Sequence, residues 1–151
     1  MEGWQQPITK TNIMKKLLLI FLLSLSCHAT DLNKIYEVIK YVESDHRTYI
    51  VGDGGRAYGV VQIHKICVAD INRIYKTNYK HIDAFNPEKA KKMFMLYISA
   101  GIKLYKKKYC RSPTEEDIVR MWNGGIYTGY NKKSTVKYYN RYLKFKRLLY
   151  E

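Results

Sequence analysis

Acidic residues are scarce in this chain, where 13 Asp and Glu stand against 27 Lys and Arg over 151 residues, for a net charge of +14. A balance so far from neutrality argues for an anionic partner, drawn in by long-range steering. No internal repeat and no low-complexity tract occurs, and 46% of the residues are hydrophobic. The chain is therefore neither a repeat array nor a disordered polymer. Its length fits one domain and leaves no room for a separate binding module. No apolar run reaches the roughly 20 residues that a membrane-spanning helix needs. Only 3 cysteines are present, and His46, His64 and His81 show no ligand spacing with Cys67 or Cys110, which argues against a bound metal.

The longest apolar run, Leu17 to Leu25, follows Met14-Lys15-Lys16 and precedes Cys27-His28-Ala29. A positive start, a short apolar core and small residues after it make an export signal, with translation starting at Met14 and cleavage near Ala29. The sequence thus divides into an extension and signal at 1–29 and one domain at 30–151. The expected location is periplasmic or extracellular, with contact to the membrane only through the signal segment, which becomes an anchor if it is not cleaved. From Thr30 onward 24 basic residues face 12 acidic ones, so the exported part stays strongly cationic. The cluster Lys106-Lys107-Lys108 suits either a polyanion surface or the solvated end of a helix, where cations oppose the carbonyl dipoles. Export also changes the meaning of Cys67 and Cys110. In an oxidising compartment they can form a disulfide, worth about 4 kcal/mol on the chain-entropy model, or remain two buried thiols.

Helix signals dominate the remainder. Asp31 is positioned to cap a helix whose Ile35, Ile39 and Val42 share one face, which leaves Glu43 at the helix end beside the core. Gly52-Asp53-Gly54-Gly55 and Gly59 are too rich in glycine for helix and predict a turn or small hairpin around Tyr58-Gly59-Val60-Val61. Helix is expected to resume near Ile63, with Ile63, Cys67, Ile71 and Ile74 facing inward. Asn86-Pro87-Glu88 is a helix start, for a helix running to about Tyr105. Ser112-Pro113-Thr114-Glu115 reads as a capping box for another helix, ended by Gly124-Gly125. A last helix from about Ser134 aligns Tyr138, Tyr142, Phe145 and Leu149. The expected class is mainly α, a single domain with a short glycine-rich loop or hairpin after the first helix.

Three segments in order carry the chemistry: Glu43-Ser44 at a helix end, Gly59-Val60-Val61-Gln62, and Met121-Trp122-Asn123-Gly124-Gly125. With Thr135-Val136-Lys137-Tyr138 and Tyr142-Leu143 beyond, the stretch from about Leu32 to Leu143 resembles the lysozyme-like domain of soluble-type lytic transglycosylases. Val60-Val61 stands where that family usually has Leu-Met, and Met121-Trp122 where it has Ala-Tyr. The resemblance implies a lysozyme-like fold and cleavage of the MurNAc-GlcNAc β-1,4 bond of peptidoglycan. It also implies glycan strands as partner, no nucleic acid, no cofactor or metal, and a monomer.

Glu43 becomes the candidate acid and base, because a carboxyl buried against apolar groups stays protonated near neutral pH. After donating its proton it can deprotonate the sugar's own C6 hydroxyl and close a 1,6-anhydro ring, so one carboxylate suffices. A water-using muramidase needs a second carboxylate, and Asp53 is the candidate, with a plain turn residue as the alternative. Ser44 is a candidate to orient Glu43, or simply a cap. Tyr138 is a candidate to reach Glu43 through its hydroxyl, or a core residue. Gln62 and Asn123 have amides suited to sugar hydroxyls and N-acetyl groups, or to bracing loops. Tyr58 and Trp122 are candidates for stacking on sugar rings. A non-catalytic cationic protein that binds glycan or nucleic acid remains the alternative from another class.

Overall fold

The computed structural model describes residues 30–151; the export signal and the cleavage near Ala29 expected from the sequence lie outside these residues. Among the described residues five helices dominate and a small three-stranded sheet accompanies them, so the fold is mainly α. None of these helices is long and apolar enough to cross a membrane.

Helix α1 spans Leu32–Ser44, and Asp31 caps it by accepting from the Asn33 and Lys34 amides at 2.9 and 3.2 Å. Its inward face carries Ile35, Tyr36, Val38, Ile39 and Val42 at the three-four spacing of a helical stripe. Asp45 ends it in the left-handed region, where the Asp45 and His46 amides bond back to the Tyr41 and Lys40 carbonyls. The glycine-rich stretch folds into strands β1 (Val51–Gly52), β2 (Ala57–Tyr58) and β3 (Ile63–His64), joined by two tight turns. The pairing is antiparallel, with Val51 opposite Tyr58 and Ala57 opposite His64. Gly59 turns the chain into the second hairpin at φ +78°, and a side chain there would overlap the Ala84 carbonyl of the neighbouring 3-10 turn, His81–Phe85.

Ile63 belongs to this sheet rather than to the following helix. Helix α2 begins at Lys65 and runs to Tyr75, so Ile63 is buried from a strand while Cys67, Val68 and Ile71 are buried from the helix. Helix α3, Pro87–Tyr109, is about 34 Å long at 1.5 Å per residue and is capped by Asn86, which accepts from the Lys89 amide at 3.0 Å. It runs one turn beyond the expected end, to Tyr109, and buries Ala90, Met93, Phe94, Tyr97, Ile98, Gly101 and Tyr105 in one stripe. Lys106, Lys107 and Lys108 occupy its exposed last turn.

Helix α4, Glu115–Gly124, starts from a capping box built by Thr114 and Asp117, two residues later than the Ser112-to-Glu115 frame. Gly124 ends it where a side chain would come within 2.7 Å of Gly129 Cα, so the following loop tucks directly beneath the helix end. Buried Thr135 ties that loop down, accepting from Arg120 Nε at 2.9 Å and donating toward the Gly129 and Lys132 carbonyls. Helix α5, Ser134–Tyr150, then packs Tyr142 into the core against α1 and α4.

Cys67 and Cys110 are not joined. Cys67 is buried in α2 and Cys110 is exposed at the end of α3, so neither the disulfide nor the pair of buried thiols describes them. Burial pushes the Cys67 thiol far above its usual range, which makes it unreactive.

Candidate functional site

A cleft of about 460 Å³ opens between the sheet on one side and α2 with the end of α4 on the other. Glu43 reaches it from the last turn of α1; Asp53, Gln62 and His64 from the sheet; and Trp122 and Asn123 from α4.

The position of Glu43 follows from how α1 ends. Ser44, 3% exposed, donates its hydroxyl to the Val60 carbonyl at 2.8 Å and lies 3.1 Å from the Lys40 carbonyl. It therefore makes no bond to Glu43. Instead it ties the helix end to the β2–β3 turn, so its support for the acid is indirect. Arg47 closes the same corner, with Nε donating to the Ser44 carbonyl at 2.8 Å.

The Glu43 carboxyl receives two hydrogen bonds from residues far along the chain. The Tyr138 hydroxyl donates to Oε1 at 2.7 Å, and the Trp122 indole Nε1–H donates to the same Oε1 at 3.2 Å. Burial raises the Glu43 pKa above the usual carboxylate range, and this outweighs the lowering from the Tyr138 bond, the Trp122 bond and the Arg141 charge. Tyr138 is half-buried, and desolvation of its hydroxyl together with the nearby carboxylate holds its pKa well above that of a free phenol. The hydroxyl thus remains a donor at every ordinary pH.

Trp122 lines the cleft, as a residue expected to meet sugar would, and it is also engaged within the protein. Its ring packs against Phe94 at 4.8 Å and edge-on to Tyr97 at 6.1 Å, both from α3, while its N–H is committed to Glu43. Tyr58 is not in the cleft at all. Side chains alternate along β2, so Ala57 faces the cleft and Tyr58 points to the opposite side, stacked on His81 at 3.9 Å and Phe85 at 4.9 Å. Gln62 lines the cleft, yet its Nε2 donates to the Gly59 carbonyl at 2.9 Å, so the same amide braces the turn. Asn123 is exposed at the cleft edge.

Asp53 shares the cleft with Glu43 and is already engaged. Arg56 binds it twice, Nη2 to Oδ1 at 2.8 Å and Nε to the backbone carbonyl at 2.9 Å, and His64 Nε2 lies 3.7 Å from Oδ2. His64 was not singled out from the sequence as a cleft residue, nor was Tyr97, whose buried side chain forms part of the cleft wall. The signal for His64 was available once β3 was known to pair with β2, because it lies directly opposite Ala57.

Comparison of the chain with models of known protein families and with curated proteins returned no match. The chemistry of the cleft therefore has to be judged from its own residues. It offers one carboxyl with a pKa raised by burial, held by two donors at the wall of an open groove, where it can give up and take back a proton.

Proposed function

We propose that this protein is a peptidoglycan lytic transglycosylase with a lysozyme-like fold, in which Glu43 serves as both acid and base. The observation that carries the reading is the Glu43 carboxyl, enclosed at the cleft wall and doubly hydrogen-bonded by Tyr138 and Trp122. An acid whose pKa is raised by burial keeps its proton at a pH where an exposed carboxylate has lost it.

The reaction then balances without a second carboxylate. Glu43 gives its proton to the bridging oxygen, the bond from that oxygen to the muramic C1 breaks, and the bonding pair leaves with the oxygen. Glu43, now a carboxylate, takes the proton of the C6 hydroxyl. The C6 oxygen bonds to C1, the 1,6-anhydro ring closes, and the acid is regenerated. The open cleft suits a chain substrate, and the excess of cationic residues suits the peptide carboxylates of the wall.

Hydrolysis is the second reading, favoured by one observation: Asp53 lines the same cleft as Glu43. Against it, Asp53 is clamped by Arg56 in a tight turn, which fits a structural role. Mass spectrometry of fragments released from purified peptidoglycan separates these readings. Anhydro-muramic ends, absent with Glu43→Gln, support transglycosylation. Reducing ends that disappear with Asp53→Asn support hydrolysis, and no release by the parent protein would favour a cationic binding protein.

A further inference from the structure

We propose that Trp122 is a positioning residue which, together with Tyr138, confines the exchangeable proton of Glu43 to Oε2. The argument is geometric. Both donors converge on Oε1, Tyr138 at 2.7 Å and Trp122 at 3.2 Å. An indole N–H has no acceptor capacity and can only donate. A hydrogen on Oε1 would face that N–H head-on, donor against donor, so the neutral acid carries its hydrogen on the other oxygen. Oε2 accepts no hydrogen bond from any of the described residues.

The groups around the carboxyl leave this assignment intact. Helix α5 brings Tyr138 and Arg141, α3 brings Tyr97 to the cleft wall, and the sheet brings Asp53 and His64. Of these only Tyr138 donates to Glu43. Trp122 itself packs against Phe94 and Tyr97, neighbours on one face of α3, which orients the indole whose N–H meets Glu43. One oxygen thus serves as anchor and the other as the proton carrier. The same Oε2 both delivers the proton and collects it in the second step, and the carboxyl does not need to turn between them.

The catalytic consequence rests on the transglycosylase reading, whereas the Trp122 N–H donation that fixes the placement of the proton can be tested without any substrate. The test is carbon-13 NMR titration of the full chain labelled at glutamate carboxyls, with the Glu43 resonance assigned through Glu43→Gln. Two variants are compared with the parent: Trp122→Phe, and replacement of Trp122 by benzothienylalanine, which keeps the ring shape and lacks the N–H. Removing the donor takes away stabilisation of the carboxylate, so the Glu43 titration is expected to move to higher pH in both variants. The alkaline limb of the kcat/KM profile should move with it, and kcat should fall about tenfold with KM nearly unchanged, the loss of roughly one hydrogen bond.

An unmoved Glu43 titration in the benzothienylalanine protein overturns the proposal, including the case in which Trp122→Phe fails to fold. A shifted titration in a protein that cuts no glycan upholds the donation to Oε1 from which the proton placement follows and defeats the transglycosylase reading, so the two failures are distinguishable.

Discussion

Replacing Ser44 by Ala tests whether the end of the Glu43 helix is held from the sheet. The hydroxyl is buried and donates to the Val60 carbonyl at 2.8 Å, across a separation of 16 residues. Its loss removes one neutral hydrogen bond and leaves a buried carbonyl without its partner, a cost of about 1–3 kcal/mol. Alanine returns roughly 0.5 kcal/mol through its better helix propensity. The net destabilisation is then about 1.5 kcal/mol, and with a urea m-value of about 2 kcal/mol/M the midpoint should fall by roughly 0.75 M. Ser112→Ala, at an exposed position before α4, is the control and should stay within about ±0.5 kcal/mol of the parent. The assay is urea unfolding followed by far-UV circular dichroism, with the slope required to stay constant. If the Ser44→Ala midpoint moves no further than the control's, the Val60 bond does not hold the helix end and the account of how Glu43 is placed is wrong.

Three further outcomes are expected. Burial raises the Glu43 pKa in the folded state, so the stability this group supplies is complete below its unfolded pKa and is lost as pH rises through the folded value. Glu43→Gln, whose amide oxygen can still accept both bonds, should therefore unfold at a higher temperature than the parent at about pH 8, with the advantage shrinking toward about pH 4. A calorimetric scan at both pH values checks the sign. Gly59→Ala should cost at least about 2 kcal/mol, because the φ of +78° penalises any side chain and the Ala84 carbonyl occupies the space; chemical denaturation reads the loss. With Cys27 replaced by Ser, a thiol reagent should modify Cys110 at once and Cys67 only after unfolding; equal rates would contradict the difference in their burial.

Most of the helices could be read from local chemistry. Asp31 and Asn86-Pro87 cap where their side chains and the proline ring dictate, and the stripes of α1 and α3 bury the residues that their three-four spacing selects. Two local signals misled. Ser112 and Glu115 have the spacing of a capping box, but Thr114 and Asp117 offer the same chemistry two residues on, and the helix starts in the later frame. Ile63 fits a helical stripe equally well as a strand position, and in a sheet of two-residue strands periodicity cannot separate the two.

At the candidate site the division is sharper. Local sequence placed an acid at the end of an apolar helix and a glycine-rich turn after it, because caps, stripes and glycines act over a few residues, whereas Tyr138 was suggested as a partner of Glu43 only by the family resemblance and Trp122 was expected to meet sugar instead. Which atoms meet was set by packing between distant elements. Trp122 and Tyr138 lie 79 and 95 residues from Glu43, yet their donors share one oxygen. One residue of alternation along β2 sends Ala57 to the cleft and Tyr58 behind it, and Ser44 turns from its neighbour Glu43 to a carbonyl in the sheet. Such choices depend on the direction and register of elements packed together from distant parts of the chain, and local residue preferences carry no information about either.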